Sequence, residues 1–195
     1  MRVHLARHGQ SHANVARVMD NRPPGPGLTE LGIEQACHLG KQLQGLGIGQ
    51  VWSSTLRRAE ETAQHAAGKL GLSYQAHAGI LEFDCGNLEG KGDEASWTEH
   101  WRVDQLWAEG RQHERTGGGE SLLEIVSRVR QFLDGLEGPH ALVVGHGGIF
   151  RVALPELLGL SAQFSRENPI ANCGVIVVER GETAWRCLEW GGVKL

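Results

Sequence analysis

The sequence predicts an α/β fold, a three-layer α/β/α sandwich with a mostly parallel central sheet and an antiparallel edge strand. Three observations predict it. Short apolar strands alternate with amphipathic helices over most of the chain, the pattern of parallel strands joined by helical crossovers. His140 to Gly145 is apolar almost throughout, as a central strand covered on both faces must be. Cys173–Glu179 and Thr183–Trp190 flank Arg180-Gly181-Glu182, a short turn that makes them an antiparallel hairpin at the sheet edge. A length of 195 residues suits a single domain, 1–195, with room for one small insertion.

Each element has a local reason. Arg2-Val3-His4-Leu5 begins a first strand, and Gly9 with the polar residues after it forms the turn that ends it. Arg17 to Gly27 is a loop stiffened by Pro23-Pro24-Gly25-Pro26-Gly27. Thr29 is the N-cap of a helix in which Ile33, Ala36, Leu39 and Leu43 recur at helical spacing, and Gly45 and Gly47 end it. Gln50–Ser53 is a second strand. Ser54 is expected to cap a helix from Leu56 to Leu70 whose apolar face is alanine (Ala59, Ala63, Ala66, Ala67), small enough to lie close on a sheet. Tyr74–Ala78 is a third strand, and Leu81–Gly90 is a loop with two glycines and three carboxylates. The stretch 91–119 is polar, carries Trp97, Trp101 and Trp107, and ends in three glycines. It is expected to be a small helical insertion, a flap. Ser121 and Glu124 form a capping box opening an amphipathic helix with Leu122, Ile125, Val126, Val129, Phe132 and Leu133 on one face. His146-Gly147-Gly148 leads from the apolar strand into a helix reaching about Leu158.

Composition excludes several classes of partner. The net charge is −4 and the pI about 6.2, so no global basic field invites nucleic acid or an acidic membrane surface. An anionic ligand must be held by local arginines. Cys37, Cys85, Cys173 and Cys187 are scattered without metal-ligand spacing and are expected to be free buried thiols in a reducing compartment. The absence of a signal segment and of an apolar run near 18 residues reads as cytoplasmic.

Chemistry-bearing residues fall at three strand-to-helix junctions, at the end of an open sheet where ligands bind. The first carries Arg7 and His8, an imidazole able to attack phosphorus beside a guanidinium able to hold its oxygens. The second carries Arg57 and Arg58 at a helix amino end, which favours anions. Only one of the two needs to face inward. The third carries His146. Each alone also reads blandly, as a turn, a surface charge or a satisfied buried histidine; together they point to phosphoryl transfer.

These stretches resemble the histidine phosphatase superfamily, with its phosphoglycerate mutase-like fold, over nearly the whole chain. Arg7-His8-Gly9-Gln10-Ser11 with Asn14 is similar to the family's R-H-G-[EQ]-[ST]-x-x-N. Leu28 to Ala36 is similar to L-T-x-x-G-x-x-Q-A, and Ser54 to Ala63 to S-x-L-x-R-A-x-x-T-A, which singles out Arg58. Glu82 to Gly90 resembles E-x-x-x-G-x-x-E-G. Gly118-Gly119-Glu120-Ser121 and Val144 to Gly148 complete the set. The resemblance implies a metal-independent phosphomonoester hydrolase, without cofactor, acting on a small phosphorylated metabolite. It implies His8 as nucleophile, Glu82 as proton donor, Arg7, Arg58 and His146 as holders of the phosphoryl oxygens, and Asn14 and Gly147 as further phosphate contacts. Asp84 and Glu89 read as loop solvation or ion pairs.

Hydrolysis is favoured over a bisphosphoglycerate-dependent mutase. The Glu82 loop lacks the mutases' N-E-R-x-Y-G, Ala13 stands where mutases resemble one another in having Trp, and the 91–119 insertion is short. A silent binding module is the remote alternative. The tryptophans of the insertion offer an aromatic wall or plain packing; Arg102, Arg111 and Arg115 offer a hold for a second acidic group or plain surface charge. Sugar phosphates, phosphoglycerates and ribazole phosphate all remain candidate substrates by resemblance. The Cys173–Trp190 hairpin offers an edge for pairing with a second copy in a homodimer.

Overall fold

The computed structural model describes residues 1–195. Its strands are β1 (Arg2–Arg7), β2 (Ile48–Ser53), β3 (Tyr74–Ala76), β4 (His140–Gly145), β5 (Val175–Arg180), β6 (Trp185–Trp190) and β7 (Val193–Lys194). They form one sheet in the order β3-β2-β4-β1-β5-β6-β7. β3, β2, β4 and β1 pair in parallel, and β5, β6 and β7 add on antiparallel. The helices are α1 (His12–Ala16), α2 (Glu30–Gln42), α3 (Arg57–Leu70), α4 (Glu94–Ala108), α5 (Leu122–Gly135), α6 (Gly147–Leu158) and α7 (Ala162–Glu167). None is long and apolar enough to cross a membrane.

Period-2 alternation of the strands divides the core in two. Val3, Leu5, Ala141 and Val143 face α5 and α6 in one apolar cluster. Ala6, Leu142 and Val144 face α2 and α3 in another. The predicted alanine face of α3 is buried throughout. On α2 the inward face is Gly32, Ala36, Leu39 and Gly40, while Ile33 is 38% exposed. Gly40 and Ala36 on that face let α2 lie close to α3, with Leu39 the one large side chain packed inward.

Several boundaries differ from expectation. β3 stops at Ala76, where a 3₁₀ turn, Ala78–Ile80, begins. β5 begins at Val175, because Cys173 has a left-handed φ of 56° that no strand accommodates. The antiparallel part gains a third strand beyond the expected hairpin, since β7 pairs outside β6, so the hairpin is not the last edge. The cysteines are free, but only Cys85 is fully buried. The short helices α1 and α7 carry too little periodicity to be read from sequence.

Gly40 is the tightest point between α2 and α3: a methyl there would sit 2.5 Å from the Ala66 carbonyl oxygen and 2.8 Å from Lys69 Cβ. Gly40→Ala is therefore expected to destabilise the fold by about 1–3 kcal/mol, overpacking outweighing the better helix propensity of alanine. Urea denaturation checks it.

Candidate active site

The register of the sheet places the site. Arg7 lies opposite Gly145 and Ser53 opposite Val144, so β1, β4 and β2 end at one level. His8 N–H donates to the Gly145 carbonyl at 3.0 Å and Ser54 N–H to the Val144 carbonyl at 2.9 Å, which carries the alignment one residue past the strands. His8 and His146 thus emerge side by side, with ring centroids 5.1 Å apart.

His8 is held by its surroundings in one tautomer. Its Nδ1 lies 2.7 Å from the Gly9 carbonyl oxygen, which can only accept, so Nδ1 carries the proton. Nε2 keeps its lone pair and accepts from Arg58 Nε–H at 3.2 Å. Asn172 Nδ2–H donates to the His8 carbonyl and Gly9 N–H to Thr62 Oγ1, fixing the turn. Burial, then Arg58 and Arg7, holds the His8 pKa well below the ordinary histidine value. His146 is also driven well down, by burial first and then Arg58.

Arg58 points inward as expected, while Arg57 is exposed and pairs with Glu61 at 2.8 Å. Arg58 Nη1 donates to the Asp20 carbonyl and Arg7 Nη1 to the Ile170 carbonyl. Arg7 Nε and His146 Nδ1 are buried polar atoms with no protein partner. Glu82 takes its place from the start of α6: its carboxylate accepts from Gly148 N–H at 2.9 Å, Ile149 N–H at 2.6 Å and Phe83 N–H at 3.1 Å. The glycines after His146 make room for this. A methyl on Gly147 would lie 3.1 Å from Arg7 Nε, and one on Gly148 2.7 Å from Glu82 Oε2.

Arg7, His8, Asn14, Arg58, Glu82 and Gly147 line one cleft of about 610 Å³. Asn14 closes a capping box with Ser11 through its Oδ1, so that oxygen faces Ser11 and Asn172. Asp84 pairs with Arg22 and caps Gly86 N–H, and Glu89 accepts from Asn21 and Cys85 N–H groups, so both build the loop.

One site feature differs from expectation. Ser54 does not cap α3, whose N-cap is Leu56. Its hydroxyl lies 2.7 Å from His146 Nε2 and accepts from Leu56 N–H. Arg102 pairs with Glu99, Arg111 with Glu114 and Arg115 with Glu124, all on the exposed surface, so of the two readings offered for these arginines plain surface charge holds. Arg151 and Arg166 line the cleft instead, both bonded to the buried Asp104. In the 91–119 stretch, α4 presents Trp97 and Trp101 to the cleft, whereas Trp107 is core. Trp101, 50% exposed, stacks on Trp97 and carries the Arg151 guanidinium over its ring at 5.0 Å.

A level row of strand ends in an α/β sandwich brings together two buried histidines and two inward guanidiniums. The chain belongs to the histidine phosphatase superfamily (branch 1), whose profile matches residues 3–192. It is 33% identical over 196 residues to "Probable phosphoglycerate mutase GpmB" of Erwinia tasmaniensis, an alignment covering 97% of this chain and 90% of that one. The mycobacterial glucosyl-3-phosphoglycerate phosphatase in complex with VO3 superposes with a TM-score of 0.83 at 25% identity, covering 98% of this chain and 99% of that one. The α-ribazole phosphatase of Shigella flexneri superposes with a TM-score of 0.78 at 24% identity, over 98% of this chain and 96% of that one, a likeness of fold.

His8 and His146, and with them the buried His4 and His100, which are also shifted down, set a sign for stability against pH. Their folded pKa values lie below 6.5, so under that pH the unfolded chain binds protons the native state refuses. Stability is then expected to fall as pH drops below 6.5, by up to about 1.4 kcal/mol per unit for each histidine. Urea midpoints at pH 7.5, 6 and 5 check it, and His8→Gln should flatten the slope.

Proposed function

We propose that the protein is a phosphomonoester hydrolase working through a phosphohistidine on His8, with no metal ion. The observation that carries this is unspent hydrogen-bonding capacity beside His8, on Arg7, its neighbour on β1, and on His146, whose ring lies 5.1 Å from that of His8. Arg7 Nε and His146 Nδ1 are buried and unpaired within the protein, a state that costs about 1–3 kcal/mol per group until a ligand satisfies it. With Arg58 beside them, they suit the equatorial oxygens of a phosphoryl group, over which the transition state spreads its charge.

In the first step Arg58 Nε–H passes from His8 Nε2 to a phosphoryl oxygen, and the lone pair so freed attacks phosphorus. The P–O ester bond breaks, and its electrons leave on the alcohol oxygen, which takes a proton from the Glu82 carboxyl. The Nδ1–H bond to Gly9 supports the positive charge that the phosphorylated imidazole gains. In the second step water attacks phosphorus, Glu82 takes a proton from it, the N–P bond breaks, and its electrons return to Nε2. His146 serves as a donor through Nδ1–H when the Ser54 hydroxyl donates to its Nε2, the arrangement that Leu56 N–H favours by occupying a Ser54 lone pair. Asn14 and Gly147 border the same pocket and suit further neutral contacts with phosphate.

A second reading, transfer of the phosphoryl group to a hydroxyl acceptor as in a mutase, is favoured by the names of the sequence relatives. Isomerisation of 3-phosphoglycerate primed with a trace of the bisphosphate, outrunning phosphate release, would select it.

Hydrolysis of p-nitrophenyl phosphate in EDTA is expected for the wild type, with His8→Ala reducing it about 10³-fold or more. Glu82→Gln should cost about 10²–10⁴ in kcat on an alkyl phosphate but less than about tenfold on the nitrophenyl ester, whose leaving group needs no proton. Equal losses on both esters would remove Glu82 from the proton-donor role.

A further inference from the structure

The same cleft is lined by a second charged group, built by three residues from three helices. Asp104 of α4 is buried, with its side chain 6% exposed. Its Oδ1 accepts from Arg151 Nη1 of α6, and its Oδ2 from Arg166 Nη2 of α7 at 2.7 Å. Arg166 is fixed further, donating to the Asp104 carbonyl and to Gln105 Oε1. Arg151 is only 14% exposed along its side chain, and of its three nitrogens only Nη1 donates to protein. Both guanidiniums line the same cleft as Arg7 and His8.

Counting charges decides what this group can accept. Two guanidiniums and one carboxylate leave a single uncompensated positive charge in a largely desolvated setting. The other carboxylates of the cleft, Asp20 and Glu82, lie at the phosphate site. A neutral leaving group would leave that charge unanswered, and Asp104 stands against a second phosphate carrying two negative charges. Arg151 follows Gly147 by one turn of α6 on the same helix face, and Arg7 lies against Gly147.

We propose that Arg151 and Arg166 are specificity-determining residues, and that the natural substrate is a phosphomonoester whose alcohol carries one negative charge, of carboxylate type. The proposal rests on the hydrolase reading. Asp104 is a positioning residue: it holds the two planar forks so that one carboxylate meets both. This assigns to α6 and α7 the second anion contact that the surface arginines of the 91–119 stretch do not provide.

The test compares 3-phosphoglycerate with glycerol 3-phosphate, which differ by a carboxylate against a hydroxymethyl group, with p-nitrophenyl phosphate measured in parallel. Wild type is expected to favour the acid in kcat/KM for phosphate release by about 10–100-fold, the worth of charge-assisted hydrogen bonds. Arg166→Gln and Arg151→Gln are each expected to lower that ratio about tenfold, chiefly by raising KM for the acid. Arg166 is the more exposed of the two and serves if the Arg151 variant does not fold. Turnover of p-nitrophenyl phosphate with an acid-to-neutral ratio near one, or a ratio the variants leave unchanged, would overturn the assignment and leave the hydrolase reading standing. No phosphate release from any of the three esters would overturn both.

Discussion

The in-register parallel pairing of β1 with β4 is the constraint on which the site depends. With Arg7 opposite Gly145, the residues that follow, His8 and His146, leave the sheet at one level and come into ring contact. β2 ends beside them and delivers Ser54, and through the turn at Leu56 the amino end of α3 with Arg58. A slip of one residue in β1 would turn Val3 and Leu5 out of one core layer and Ala6 out of the other. The apolar pattern that stabilises the sandwich and the arrangement of the cleft are therefore one specification.

Electrostatics at the strand ends follows from that placement. Burial first, and then the neighbouring guanidiniums, hold both histidine pKa values well below the ordinary value, and the Gly9 carbonyl decides which His8 nitrogen bears the lone pair. Glu82 is delivered from a loop, yet the first N–H groups of α6 fix its carboxyl, so a residue far from α6 in sequence is placed as firmly as one on it. In the proposed reaction these separate anchors allow nucleophile, oxygen-holding groups and proton donor to act with little rearrangement.

Much of this was legible because the relevant signals are local. The alanine stripe of α3, the Ser121–Glu124 box and the all-apolar β4 each lie within one element, and Arg58 was separable from Arg57 by the motif around it. What escaped depends on long-range contacts. Ser54 looks like a helix cap but its hydroxyl serves His146, 92 residues away. Asp104 meets Arg151 and Arg166 across 47 and 62 residues, and no spacing announces such a trio. The surface role of Arg102 and Arg111, by contrast, was readable in their carboxylate neighbours three positions away, Glu99 and Glu114.

The central claim is a covalent bond between phosphorus and His8 Nε2. Rapid acid-free quenching of the enzyme during turnover of a phosphomonoester, followed by peptide mass spectrometry, tests it most directly. The account predicts a phosphoryl adduct on the peptide carrying His8, labile to acid, stable to base, and absent from His8→Ala. Steady hydrolysis with no adduct on His8, or with the adduct on His146, would contradict it.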